Sequence, residues 1–231
     1  MDQALLNSPL FALTLSLAAF QLGNTLYRRL NEFPLLHPTV TGASLVALLL
    51  PRLDIDYQDY LQANDLLMFW LGPATVALAV PLYQQLHLIR KMAIPMLLTC
   101  AFGAIFAAGS AVVIAYSLGA SEVTMLSLAP KSVTTPIAID LTNEIGGLAT
   151  LAAGCVALTA VSAMCLAPIV FRLLNITDPQ IWGFCLGITA HGMGTARAFE
   201  MNATAGAFSS LAMCLTGAFS AALIPVVVNL I

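Results

Sequence analysis

Stretches free of Asp, Glu, Lys and Arg recur along this chain: Gln3 to Tyr27, Phe33 to Pro51, Leu66 to Ile89, Met92 to Ser121, Ile145 to Phe171 and Met201 to Ile231. A helix that crosses a bilayer needs about 20 mostly apolar residues. The pattern therefore predicts six spanning helices. Two further apolar stretches differ in kind. Val123 to Ile139 is interrupted by Lys131, and Pro179 to Ala196 holds His191 and runs into Arg197. Each gathers Gly, Pro or Ser/Thr at its middle, which predicts a broken or re-entrant segment. The reading is an all-α polytopic membrane protein forming one integral membrane domain over 1–231. Helices one to four occupy 1–117, and repeat units broken near 130–136 and 191–197 fill 118–231. Gly72-Pro73 and Pro81 mark a weaker break within the third helix.

Composition sharpens this. The 231 residues are 60% hydrophobic and only 8% charged, with a mean hydropathy of +0.93. A soluble domain is about a quarter charged, so too few polar side chains exist here to cover a water-soluble globule. The net charge of −3 comes without basic runs, which excludes a nucleic-acid surface. With no basic region and no cleavage site before Arg28, the N-terminal stretch reads as a first helix rather than a signal peptide. The five cysteines all lie in apolar stretches without metal-ligand spacing, so they read as core residues and no metal or cofactor is expected.

Lys/Arg asymmetry sets an expected orientation. Arg28-Arg29 and Arg90-Lys91 are two crossings apart and share a side, the cytoplasm. The loop with Asp54, Asp56, Asp59 and Asp65 then faces outward, as does the N-terminus. If Glu122 to Leu141 re-enters, Arg172 falls in the cytoplasm; if it spans, Arg172 falls outside. The rule favours re-entry.

A shift of 60 residues superposes the two broken segments: Thr135 on Thr195, Ala138 on Ala198, Asp140 on Glu200, Gly146 on Gly206, Leu151 on Leu211 and Ala152 on Ala212. Units of one hairpin plus one helix cross an odd number of times, so two of them are inverted and bring their breaks together near the midplane. Chance agreement among Ala, Gly and Leu is the competing account.

The chemistry concentrates at those breaks. In residues 130–136, Pro130 and Pro136 withhold amide donors, Ser132, Thr134 and Thr135 supply hydroxyls, and Lys131 supplies charge. With a half-helix N-terminus beside them, these groups suit an anion. The bland alternative is a lysine snorkelling to the interface. In residues 191–197, Gly192 and Gly194 permit close backbone approach, His191 and Thr195 offer hydrogen bonds, and Arg197 offers a fork for a carboxylate. Asp140 and Glu200 are the proton-coupling candidates, since a carboxylate in apolar surroundings holds its proton more tightly. No nucleophile–base pair is present, so an enzyme is not expected.

The strings LAPKSVTTPIA (128–138), HGMGTAR (191–197) and GAFSSLA (206–212), with FPLLHP (33–38) and PLYQQLH (81–87), resemble the LrgB/CidB family over nearly the whole chain. The resemblance implies a multi-pass protein of the bacterial inner membrane, paired with a smaller LrgA/CidA-like membrane partner. It also implies one of two roles. One is a holin/antiholin-like regulator of murein hydrolase export and autolysis. The other is a translocator of small monocarboxylates such as glycolate, glycerate, lactate or pyruvate, as in plastid relatives. The cost of burying Lys131 and Arg197 favours a carrier, with Lys131, Ser132, Thr134, Thr135, His191, Gly192, Gly194, Thr195 and Arg197 around the anion. A homo-oligomer is expected in the bilayer.

Overall fold

The computed structural model describes residues 8–30 and 32–229. The described chain is all-α and divides into two compact units, Met1–Ala79 and Val80–Ile231.

In the first unit, α1 (Pro9–Arg29) starts where the Ser8 hydroxyl accepts the Phe11 amide and Pro9 begins the helix. Its 21 residues span about 32 Å. The expected start at Gln3, and the N-terminus whose side the charge pattern assigns, lie outside the described residues. Pro34 to Leu36 forms a 3-10 turn, and α2 runs only from Pro38 to Leu49. Twelve residues rise about 18 Å, short of a hydrocarbon core of about 30 Å. The stretch Phe33–Pro51 is thus not a full span, because its first residues form the turn between two prolines. Gly23 and Gly42 bring α1 and α2 together; a Cβ on Gly23 would strike Thr41 Oγ1 and the Pro38 carbonyl. Two shorter pieces follow, α3 (Tyr57–Ala63), capped by Asp56, and α4 (Asp65–Ala77). The Ser16 hydroxyl ties α1 to Tyr60 at 2.6 Å and to Asn64 at 2.9 Å.

The predicted third helix is interrupted. After α4 come α5 (Ala79–Gln84) and α6 (Leu86–Lys91), with turns at Leu78 and Gln85. Pro81 cannot donate to the Ala77 carbonyl, and the helix slips there. Residues 65–84 remain long and apolar enough to cross a membrane. The described residues hold five such candidates, α1 and 65–84 being two.

The second unit has a frame of three long helices: α7 (Ala93–Ser117), α10 (Ala149–Leu173) and α12 (Ala203–Val228). Cys100 meets the Ala212 carbonyl, and Ala108 and Val112 join Ile224 in one cluster, so α7 and α12 run parallel. Between them the chain makes two hairpins.

The first hairpin comprises α8 (Glu122–Leu128), an irregular stretch and α9 (Thr135–Glu144). Ser127 accepts the Leu148 amide at 2.7 Å, so the hairpin enters beside the start of α10. Val133 then packs with Val156 and Ala138 as the chain turns, and α9 returns antiparallel to α10. The second hairpin is α11 (Pro179–Met201), whose two limbs meet at His191. Phe171 and Trp182 meet as a tilted ring pair with centroids 4.2 Å apart at the end of α10. Higher up, Ala190 clusters with Ala160 and Met164. After the turn Gly194 lies back against the Leu186 carbonyl and Ala190, which no continuous helix allows across eight positions. The inbound limb runs parallel to α12, with Gly183 on Ala205 and Gly187 on Ser209. The outbound limb runs antiparallel to it, with Thr195 on Ser209 and Phe199 over Gly206.

The hairpins thus enter from opposite ends of α10. One turns beside Val156 and the other beside Ala160, about 6 Å apart along the helix axis. The hairpin-then-helix order occurs twice, with α10 and α12 running in opposite directions. The 60-residue register does not persist. Residues 145–148 link α9 to α10, with Gly146 at φ 83° in the turn, whereas Asn202 alone links α11 to α12 and Gly206 lies inside α12.

Candidate functional site

The hairpin tips bury two polar side chains, Ser132 and His191. Pro130 closes the first limb, and its missing donor leaves the following residues non-helical. Half-buried Lys131 donates from Nζ to the Ser132 hydroxyl at 3.2 Å. It makes no ion pair among the described residues, yet its charge reaches both His191 on the opposing tip and Cys155 on α10. Ser132 is buried. Thr134 occupies the N-cap of α9 without a side-chain cap bond, and Thr135 opens the helix. The first amides of α9 consequently point toward the tip region with no hydroxyl capping them.

On the other hairpin, His191 is 2% exposed and adopts φ 45°, ψ −119°, a conformation that favours glycine. Its Nε2 is fully buried and has no hydrogen-bond partner. A buried ring nitrogen left unbonded is uncommon. Gly192 is exposed at the turn, and Gly194 is consumed by contact with the inbound limb. Thr195 is buried, sharing a 2.9 Å hydrogen bond with Ser209 and contacting the Met213 sulfur. Thr216 is a further buried hydroxyl on α12, beside the Cys100 thiol of α7.

The remaining predicted residues lie apart from the tips. Arg197 is six residues beyond the turn, about 9 Å along its limb. There Nη1 bonds Glu200 Oε2 at 2.8 Å, both side chains being partly exposed. Asp140 is exposed on α9, about a turn and a half from Thr135. The structure therefore sets Lys131 and Ser132 at one hairpin tip and His191 at the other, and places Arg197, Glu200 and Asp140 along the limbs. Cys155 escapes sequence reasoning because a cysteine within an apolar helix has no pattern that separates a site wall from core. Ser209 and Thr216 likewise become visible only once α12 passes both tips.

Two helical hairpins turning beside the middle of α10 within a frame of long apolar helices make this an all-α polytopic membrane protein. The model of the LrgB-like family matches residues 16–230, and the chain belongs to that family. An uncharacterized protein, YwbG of Bacillus subtilis (strain 168), is 39% identical over 189 residues, 82% of each chain. The antiholin-like protein LrgB of the same organism is 30% identical over 97% of each chain. The antiholin-like protein LrgB of Bacillus mycoides (strain KBAB4) is 27% identical over 94% of this chain and 95% of its own. No solved structure matches the chain. Family and helices together make this a multi-pass bacterial membrane protein in contact with lipid.

Proposed function

We propose that this protein is a carrier of small monocarboxylate anions, the class of glycolate, glycerate, lactate and pyruvate, in the bacterial inner membrane. The supporting observation is Lys131, a cation at a hairpin tip that makes no ion pair among the described residues. Holding a charge inside a membrane protein is costly, by roughly 2.5 kcal/mol upward on contested scales. An anionic ligand offsets that cost. Ser132 and the free amides of α9 stand ready to complete its hydrogen bonds. No covalent step on the anion is part of the proposal. Arg90, Lys91 and Arg172 lie toward one end of the three-helix frame, which we assign to the cytoplasm. The test is counterflow of labelled glycolate, lactate or pyruvate in proteoliposomes. Wild type should exchange label saturably, and Lys131→Ala should lower the rate at least about tenfold. Unchanged exchange in the variant would remove Lys131 from the site.

A second reading is favoured by the relatives, and more directly than any substrate is. Two of them are named antiholin-like proteins. In that role the chain would restrain a holin-like partner, an LrgA/CidA-like membrane protein, and so regulate murein hydrolase export. Altered autolysis in a strain lacking this protein, rescued fully by Lys131→Ala, would favour that role over the carrier.

A further inference from the structure

The anion site contains a group that carboxylate binding alone leaves idle. His191 lies at the second tip with a ring nitrogen that is buried and bonded to nothing. The backbone holds it there in a conformation suited to glycine, although Gly192 follows immediately. Lys131 is the charge that reaches it from the opposing hairpin. The other titratable groups on the described elements packed around it are Cys155, Cys165 and Arg172 on α10, Cys100 and Tyr116 on α7, Cys214 on α12, and Asp178, Cys185, Arg197 and Glu200 on or beside its own segment. Glu200 is bonded to Arg197, and Asp140 lies on the exposed side of α9. No carboxylate on these elements is thus placed to hold a proton at the tips.

We propose that His191 is the proton-binding group of this site, taking up one proton with each carboxylate anion and releasing it with the anion on the other side. This rests on the carrier reading. In the empty site a proton on the imidazole would face the Lys131 ammonium across a gap. With an anion between them, both cations face the carboxylate. The anion therefore draws the proton in, and by reciprocity the proton draws the anion. The neutral ring accepts the proton at its free nitrogen from the aqueous side and returns it there on release. The occupied and empty sites then carry the same net charge, so the outward and return steps cancel and a full cycle moves no net charge across the membrane.

The experiment uses proteoliposomes of wild type, His191→Gln and Lys131→Ala, with protein-free vesicles to subtract permeation of the free acid. Labelled glycolate is followed in exchange at equal pH and in accumulation driven by an interior one pH unit more alkaline. Wild type should exchange and should accumulate label about tenfold, the ratio one proton per anion sets for one unit. His191→Gln should lose accumulation, its inside-to-outside label ratio falling to about one whatever exchange it keeps; if exchange is lost with it, proton uptake by wild type on addition of glycolate decides. Exchange by wild type without accumulation, or accumulation undiminished in His191→Gln, overturns the assignment. Absence of wild-type exchange overturns the carrier reading on which it stands. Should His191→Gln not fold, proton uptake is measured on wild type in weakly buffered detergent solution as glycolate is added. Uptake of one proton per bound anion supports the assignment, and none overturns it.

Discussion

At His191 the usual order of helix preference reverses. Within a regular helix alanine is preferred to glycine by about 1 kcal/mol. At φ 45°, ψ −119° a Cβ is unwelcome. Replacing His191 by glycine or by alanine deletes the same imidazole, so the difference between the two variants isolates the backbone. His191→Gly should be the more stable by about 1 kcal/mol in thermal or denaturant melts in detergent. The opposite order would mean that the chain does not turn at this residue. Sequence reasoning points elsewhere for the turn, because Gly192 and Gly194 are the residues built for positive φ. Gly194 is needed instead where the limbs touch. Arg197 stands off the tip for the same reason: a turn at His191 puts it six residues down a limb, paired with Glu200. Lys131 was legible because prolines on both sides of it mark its break without reference to tertiary structure.

The hairpins as elements were also legible, since Pro130, Pro136 and the glycine cluster interrupt otherwise apolar stretches. Their register was not, because it depends on turn lengths that equivalent residues do not encode. The packing of the second hairpin gives a prediction at this scale. A side chain on Gly187 would meet the Ser209 carbonyl and Ala212, backbone and core that have nowhere to retreat. Gly187→Val should destabilise by about 1–3 kcal/mol, read as a lower melting temperature in detergent. Gly154, with open space around it, should accept alanine with little change. Topology gives another. In a variant cleared of its native cysteines, single cysteines at Gly119 and Gly146 should label from one side of the membrane and one at Asn175 from the other, because α10 alone crosses between the last two. Labelling of Gly119 and Gly146 from opposite sides would mean that the first segment spans.

For the whole molecule, the exterior decides its solvent. Phe69, Phe102, Leu158, Leu173 and many other large apolar side chains are exposed along the long helices. Such a surface is stable only in hydrocarbon, so the protein should stay with the membrane pellet through an alkaline carbonate wash. The two functional readings also part at this scale. A carrier with hairpins filling its centre should exchange lactate while vesicles retain a trapped dye such as carboxyfluorescein. Dye release that grows with protein density would speak for an assembling, pore-forming role. Composition alone made the membrane legible. What it could not convey was that the stretch at Phe33–Pro51 falls short of a span, since two prolines within five residues cost it the necessary length.

The glycine contacts along α11 have a mechanical consequence. Gly183 and Gly187 seat the inbound limb on α12, Asn202 joins the outbound limb to it directly, and Thr195 is bonded to Ser209. Hairpin and helix are therefore one stiff piece. The first hairpin is fastened in the same manner to α10 through Ser127 and Leu148. A rearrangement that bares the tips to one side must carry each hairpin with its own helix. The seam that gives way is then the one along α10, where Phe171 meets Trp182 and Ala160 meets Ala190. A crosslink across that seam should arrest the molecule, while one between the second hairpin and α12 should leave it free to work.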